Sequence, residues 1–321
     1  MEKIVTLTLN PAIDKSTSVK AIVPDKKLRC APPTFEPGGG GVNVSRAIKK
    51  LGGNSTAIYF AGGYSGQFYQ QLLNDEGIDS CVVGIEGHTR ENMIVVDEAA
   101  NLQYRFGMPG PVIKENEWQK CLDLLEASSG VEYIVASGSL PEGVPTDFFR
   151  RLACVSKKIN AKLIADTSGE PLRSAMREGL FMIKPNLGEL SDLHGVEELE
   201  EEQVIIAAKG IINSGGCDAM VISMGASGAM LITKDSVFDS PSPTVKKKST
   251  VGAGDSMVAG MVLALSQGRG WLEVLQYGIA TGTATTMNPG TELCKKEDVD
   301  RLYACLKTKS VDIRREGVAA K

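Results

Sequence analysis

The chain has 321 residues, 42% hydrophobic and 23% charged, proportions that suit a folded globular protein and exclude a disordered one. Lys and Arg number 35 against 39 Asp and Glu, a net charge of −4, so the basic excess of a nucleic-acid binder is missing. Seven scattered cysteines without a CxxC pair exclude a disulfide framework and a structural zinc site, and two histidines, His88 and His194, leave little basis for a histidine-dependent hydrolase.

In chain order, IVTLTL (4–9) reads as the first strand, with no signal-peptide core around it. Residues 14–36 and 88–107 alternate without an intervening helix, and the pattern predicts a small β-sheet lid inserted into the main body. Between them, FEPGGGG (35–41) runs into the amphipathic VNVSRAIKKL, and STAIYFA (55–61) is a second apolar strand. EYIVASG (132–138), AKLIAD (161–166), FMIKPN (181–186) and AMVISMG (219–225) continue the series. Helical periodicity covers 114–127, 145–158, 201–214, 253–266, 270–286 and 296–307, and the tail 314–321 is expected to fray. Apolar strands alternating with helices predict a single α/β domain over 1–321: a doubly wound, mostly parallel sheet with helices on both faces. No apolar run approaches the ~18–20 residues of a membrane span, so a cytoplasmic protein without a membrane partner is expected.

In such sheets ligands bind beyond the carboxyl ends of the strands. Those ends run into NPAID, AGG, SGSLPEG, DTSGE, KPNLGE and SMGASG. Two glycine clusters stand out. Gly38, Gly39, Gly40 and Gly41 lead straight into a helix carrying Asn43, which lets backbone amides approach a sugar or phosphate. Gly252, Ala253 and Gly254 precede Asp255 and an apolar helix. An aspartate there is a helix cap on local grounds alone, but the layout also suits phosphoryl transfer: amides stabilise the transferred group while a carboxylate takes the proton of the attacking hydroxyl.

Together GGGGVNVSRA (38–47) and TVGAGDSM (250–257) resemble the two signatures of the PfkB carbohydrate kinase family, with its ribokinase-like fold. The match runs from TLTLNPAID to NPGTELC (288–294). KLRC (27–30), QYRF (103–106), SGSLPEG (137–143) and KPNLGEL (184–190) resemble the branch acting on hexoses that already carry a phosphate. The resemblance implies Asp255 as catalytic base and Gly252, Ala253 and Gly254 as anion hole. It implies that Asp14, Gly39, Asn43 and Ser139 hold the sugar amid the glycine loop, with Arg90, Lys27, Arg29 and Arg105 near its phosphate. Lys184, Asn186 and the stretch Ser223, Met224, Gly225, Ala226, Ser227 and Gly228 fall to ATP, with Asn186 and Glu189 organising Mg²⁺ through water. Ser249, Val251, Thr285, Asn288 and Gly290 match carbonyl positions that bind K⁺. Gly40 stands where the tagatose-6-phosphate and fructose-1-phosphate kinases carry lysine, which favours fructose 6-phosphate as acceptor; a catalytically silent sugar-phosphate sensor is the distant alternative. Gly188 replaces a lysine on which a second nucleotide site would depend. A homodimer formed through the lid is also implied.

Overall fold

The computed structural model describes residues 2–309; the tail 314–321 lies outside the described residues. The chain opens with β1 (Ile4–Thr8), then β2 (Ala12–Val19) and β3 (Thr34–Gly38). Next come α1 (Gly40–Lys50), β4 (Thr56–Ala61), α2 (Gly63–Asp75) and β5 (Ser80–Gly84). A second excursion, β6 (Arg90–Asp97) and β7 (Leu102–Phe106), leads to α3 (Glu115–Glu126) and β8 (Tyr133–Ser137). The pattern continues through α4 (Phe148–Lys158), β9 (Lys162–Asp166), α5 (Gly169–Met176), β10 (Leu180–Ile183), α6 (Leu187–His194), α7 (Glu201–Asn213) and β11 (Cys217–Ser223). A hairpin of β12 (Ala229–Thr233) and β13 (Val237–Ser240) precedes α8 (Ala253–Ser266), α9 (Trp271–Thr286) and α10 (Lys296–Lys309).

Among the described residues the main sheet has nine strands in the order β13-β12-β11-β10-β9-β8-β1-β4-β5. From β11 to β5 every pairing is parallel, and the hairpin adds two antiparallel strands at one edge. The expected doubly wound sheet is therefore present. Alternation along each strand divides the core between the two faces. Val5, Leu7, Ile134 and Ala136 pack with α3 and α4 residues such as Leu122, Phe148 and Leu152 on one side. Ile4, Val135 and Ile164 meet Val44, Ile48, Val258 and Val262 of α1 and α8 on the other.

The chain leaves β1 toward β4 on one side and toward β8 on the other, so the topological switch lies between β1 and β8. A second sheet of order β3-β2-β6-β7 grows from this point, β2 following β1 after a three-residue turn. It corresponds to the expected inserted segments with one correction. Residues 20–33 form no strand, because Pro24, Pro32 and Pro33 cannot donate to a ladder, while the pairing extends outward to Ala12↔Arg90 and Ala12↔Gly38. No helix of the described residues is long and apolar enough to cross a membrane, and the seven cysteines are free thiols.

Helix α8 is buried from Ser256 to Ala264 because it is packed between α1 and α9. Its approach to α9 is closer than side chains permit. A methyl group on Gly260 would collide with Thr281 Oγ1 and sit 2.9 Å from the Tyr277 carbonyl. Gly260→Ala should therefore lower the unfolding free energy by ~1–3 kcal/mol. Gly210, exposed in α7 with open space around it, provides the contrast: Gly210→Ala should gain up to ~1 kcal/mol from helix propensity. Urea unfolding of both variants reads the two opposite signs.

Candidate active site

The glycine cradle joins the two sheets. Gly39 caps α1 with φ 124°, a conformation that only glycine adopts readily. Gly40 and Gly41 have a different reason. A methyl group on Gly40 would collide with Ser137 Oγ at the end of β8, and one on Gly41 with the Leu7 carbonyl at the end of β1. The N-terminus of α1 is thereby seated in the switch-point crevice, tied down by Val42 N donating to Thr8 Oγ1 at 2.8 Å. The N-cap Gly39 has no side chain to cap the other amides of this turn, so the positive end of the helix is left to the crevice.

The start of α8 meets the start of α1 there. Gly252 caps α8 in the left-handed region (φ 70°), and Asp255 lies in its first turn. Asn43 Nδ2 donates to Asp255 Oδ2 at 2.9 Å, and Ser137 Oγ lies 3.4 Å from Oδ1. The same hydroxyl lies 3.4 Å from Asp166 Oδ2, and Asp166 Oδ1 pairs with Lys184 Nζ at 3.2 Å. Burial and the neighbouring Asp166 push the Asp255 carboxyl up to about 6, against the pull of Asn43, Lys184 and Ser137. Burial of Lys184 opposes its charge, yet the pairing with Asp166 outweighs it and holds the ammonium above its ordinary value. The result is a carboxylate with neutral hydrogen-bond donors, able to accept a proton near neutrality, beside two helix N-termini.

Of the expected sugar-side residues, Asp14, Gly38, Arg90 and Arg105 lie on the second sheet. Asp14 Oδ1 accepts from Asn92 Nδ2 at 2.9 Å, and burial raises its carboxyl above the usual range. A methyl group on Gly38 would strike Asp14 Oδ2, which accounts for that glycine. The register Asp14↔Asn92, Ser16↔Ile94 and Ile94↔Arg105 puts Arg105 on the face that carries Asp14. Arg105 itself donates to Gln103 Oε1 at 3.2 and 3.0 Å. Arg90 donates to the carbonyls of Met108 (3.0 Å) and Asn10 (2.9 Å), and its buried Nε has no partner among the described residues. Lys27 and Arg29 are exposed on the irregular stretch 20–33 and make no side-chain hydrogen bond or ion pair among the described residues; the structure does not bring them to Asp255. Ser139 accepts from Asn10 Nδ2 at 3.3 Å; the serine that reaches Asp255 is Ser137, two residues earlier.

On the opposite flank Asn186 Oδ1 accepts from Glu189 N, and Glu189 Oε2 accepts from Asn186 N, both at 2.9 Å. This is a capping box, the local role that such spacing predicts, and it occupies only one oxygen of Glu189. A parallel bridge Asn186↔Ser223 brings the turn after β11 alongside. Residues Gly225–Ser227 form a single 3₁₀ turn closed by Met224 N donating to the Gly228 carbonyl at 2.9 Å. Deeper, the loops before α8 and after α9 touch: Ser249 Oγ donates to the Gly290 carbonyl at 2.6 Å and accepts from Val251 N at 3.2 Å. Asn288 N donates to the Thr285 carbonyl at 3.1 Å, so the five expected potassium positions lie on two abutting segments. Among the described residues no group of three or more His, Cys, Asp or Glu side chains could hold a metal ion.

Residues 4–298 match the pattern of the pfkB family of carbohydrate kinases. The chain belongs to that family, and it is an ATP-dependent sugar kinase. It is 42% identical over 308 residues to ATP-dependent 6-phosphofructokinase isozyme 2 of Escherichia coli (strain K12), which covers 95% of this chain and 99% of that protein. Phosphofructokinase-2 from Escherichia coli in complex with potassium superposes with a TM-score of 0.91 at 42% identity, over 96% of this chain and 100% of that one. The same enzyme in complex with fructose-6-phosphate gives 0.89 at 40% identity, with the same coverage.

The raised Asp255 carboxyl has a consequence for stability. In the folded protein the neutral form is favoured, so ionisation destabilises the fold as pH rises from the unfolded value near 4 through about 6. Asp255→Asn should therefore raise the unfolding free energy at pH 7.5 by ~1–2 kcal/mol, the half-buried side chain keeping some access to water. The gain should disappear below about pH 4, where both forms are neutral. Denaturant unfolding at the two pH values measures the difference.

Proposed function

We propose that this kinase transfers the γ-phosphoryl group of ATP to the C1 hydroxyl of fructose 6-phosphate, giving fructose 1,6-bisphosphate. The observation that carries the reading is the placement of Asp255: a carboxylate near its titration point, held by Asn43 and Ser137 where the N-termini of α1 and α8 converge. Asp255 takes the proton of the attacking hydroxyl, and the amides of Gly252, Ala253 and Gly254 stabilise the transferred group. Asp14 and Asn43 orient the sugar hydroxyls with the Ser139 side chain. Arg90, whose Nε has a free hydrogen, and Arg105, on the same face as Asp14, meet the 6-phosphate. Lys27 and Arg29 join them only when the stretch 20–33 folds inward.

The nucleotide lies along Lys184, Asn186 and the 223–228 turn. Asn186 and Glu189 would help hold a magnesium ion carried by ATP, which would neutralise charge on the phosphates; they fit this role because the capping box uses Glu189 Oε2 and leaves Oε1 available. Ser249, Val251, Thr285, Asn288 and Gly290 offer neutral oxygens of the kind that hold a potassium ion beside the anion hole. The second sheet acts as a lid that excludes water during transfer. Its outer face exposes Met93, Leu102, Tyr104 and Phe106, an apolar surface through which two copies pair as a homodimer. The free cysteines accord with a cytoplasmic location.

A kinase for tagatose 6-phosphate or fructose 1-phosphate is the competing reading. The packing of Gly40 against Ser137 favours fructose 6-phosphate, since it leaves no space for the loop lysine of those branches. Coupled ADP-release assays on a panel of free and phosphorylated sugars should give fructose 6-phosphate the highest kcat/KM. A tenfold advantage for another sugar, about 1.4 kcal/mol of transition-state stabilisation, overturns the assignment. In the same assay Asp255→Asn should lose at least ~10²-fold in kcat. A folded variant keeping more than about a tenth of wild-type kcat removes Asp255 from the chemistry. Arg90→Ala should raise KM for the sugar phosphate more than about tenfold while KM for ATP stays within about twofold.

A further inference from the structure

Arg46 follows Asn43 by three residues on α1, on the same face, and is only 3% exposed. Its guanidinium grips Glu76 through Nε (2.8 Å) and NH2 (2.6 Å), and NH2 also reaches Glu36 Oε1 at 3.2 Å. NH1 points elsewhere. It donates to the Pro37 carbonyl at 3.0 Å and lies 3.5 Å from Asn43 Oδ1. Glu36 in turn accepts from the Thr291 hydroxyl, beside the Gly290 carbonyl. The grip on Glu76 makes the buried cation tolerable. It does not account for a cation being there, because apolar side chains of similar volume would fill the space without desolvating charge. The NH1 contacts do account for it.

A carboxamide has one accepting end and one donating end. With Oδ1 turned toward the guanidinium, Nδ2 faces Asp255 Oδ2 at 2.9 Å. The flipped amide would set its NH2 against the guanidinium and its oxygen against the carboxylate, two repulsive pairings at once. Tyr69 reinforces the arrangement, its hydroxyl donating to the Gly38 carbonyl at 2.8 Å while NH1 holds the neighbouring Pro37 carbonyl. The end of β3 and the first turn of α1 are thus fixed to one guanidinium.

We infer that Arg46 is a positioning residue for the phosphoryl transfer: it sets the polarity of the Asn43 amide, so that the amide always donates to Asp255, and it anchors the end of the lid strand to the same point. The inference rests on the reading of Asp255 as the base. The groups facing Asp255 are Asn43 from α1, Ser137 at the end of β8, Asp166 at the end of β9 and Lys184 just beyond β10. Of these, Asn43 is the one in contact with Arg46. Loss of the amide's donation removes one of the influences that favour the ionised carboxylate.

The test is the pH profile of kcat/KM for fructose 6-phosphate between about pH 5 and 9, at saturating ATP, for wild type, Arg46→Lys, Asn43→Ala and the double variant. Wild type should lose activity below about pH 6. Arg46→Lys keeps the charge but loses the planar fork; it should raise this limb by ~0.5 unit and lower kcat about fivefold, with KM for ATP within about twofold. The double variant should show the limb of Asn43→Ala alone, since both changes act through one hydrogen bond. A limb unmoved in Arg46→Lys while Asn43→Ala shifts it, or shifts that add in the double variant, overturns the inference. If Arg46→Lys does not fold, Glu76→Gln decides: it loosens the guanidinium from a partly exposed site away from the cleft, and should move the limb in the same direction by a smaller amount. A purely structural arginine leaves the limb fixed in that variant. Full activity of Asp255→Asn would identify a failure of the base assignment instead, separate from any result at Arg46.

Discussion

The depth at which α1 sits in the switch-point crevice governs the rest of the site. Gly40 rests on Ser137 and Gly41 on the Leu7 carbonyl, with no space for a further carbon at either place. That contact brings Asn43 within 2.9 Å of Asp255 and Ser137 within 3.4 Å. The same device recurs one layer further out, where Gly260, Gly278 and Gly282 let α9 approach α8, which itself lies on α1. Missing side chains therefore determine the geometry as much as present ones. The free amides at the helix start follow from packing before any ligand is considered.

Charge is distributed with similar economy. One ammonium, Lys184, serves two nearby carboxylates, and the ion pair goes to Asp166 at 3.2 Å. Asp255 is left with an amide and a hydroxyl, both neutral, in a half-buried site. A carboxylate in those surroundings is a stronger base than one in solution, and it needs no histidine to operate near neutral pH.

Much of this was legible from residue order, and the gaps have physical causes. Apolar runs gave β1, β4, β8, β9, β10 and β11 within a few residues because a buried parallel strand has little choice of composition. Helices α2 and α5 carry weaker signals, since both open on glycine and read as turns. The β12–β13 hairpin was missed because its short strands follow a glycine turn that resembles a loop. At the site, Asn43 and Asp255 were indicated by the glycines before them. Asp166 was not, because its pairing with Lys184 across neighbouring strands depends on the sheet register, which spacing along the chain does not encode. Ser137 and Ser139 are both in SGSLPEG, and only the three-dimensional packing shows that Ser137 is the one that meets Asp255. The Asn186–Glu189 spacing supports a capping box and a role near nucleotide equally well, and the two uses are compatible.

The bond from Asn43 to Asp255 joins residues 212 positions apart. Contacts of that span form late, after the loop between them has been closed by shorter-range pairings. During synthesis β1, the glycine cradle and α1 emerge first and wait for α8, which lies in the last quarter of the chain. A nascent polypeptide can thus fold its early strands and display the sugar-side residues while the amides and carboxylate of α8 are still inside the ribosome. Domains are made at ~5–20 residues per second, so the interval between the two halves of the site lasts ~10–40 s. Throughout that interval the bond from Asn43 to Asp255 cannot exist, and the site as proposed is completed only when the protein is nearly whole.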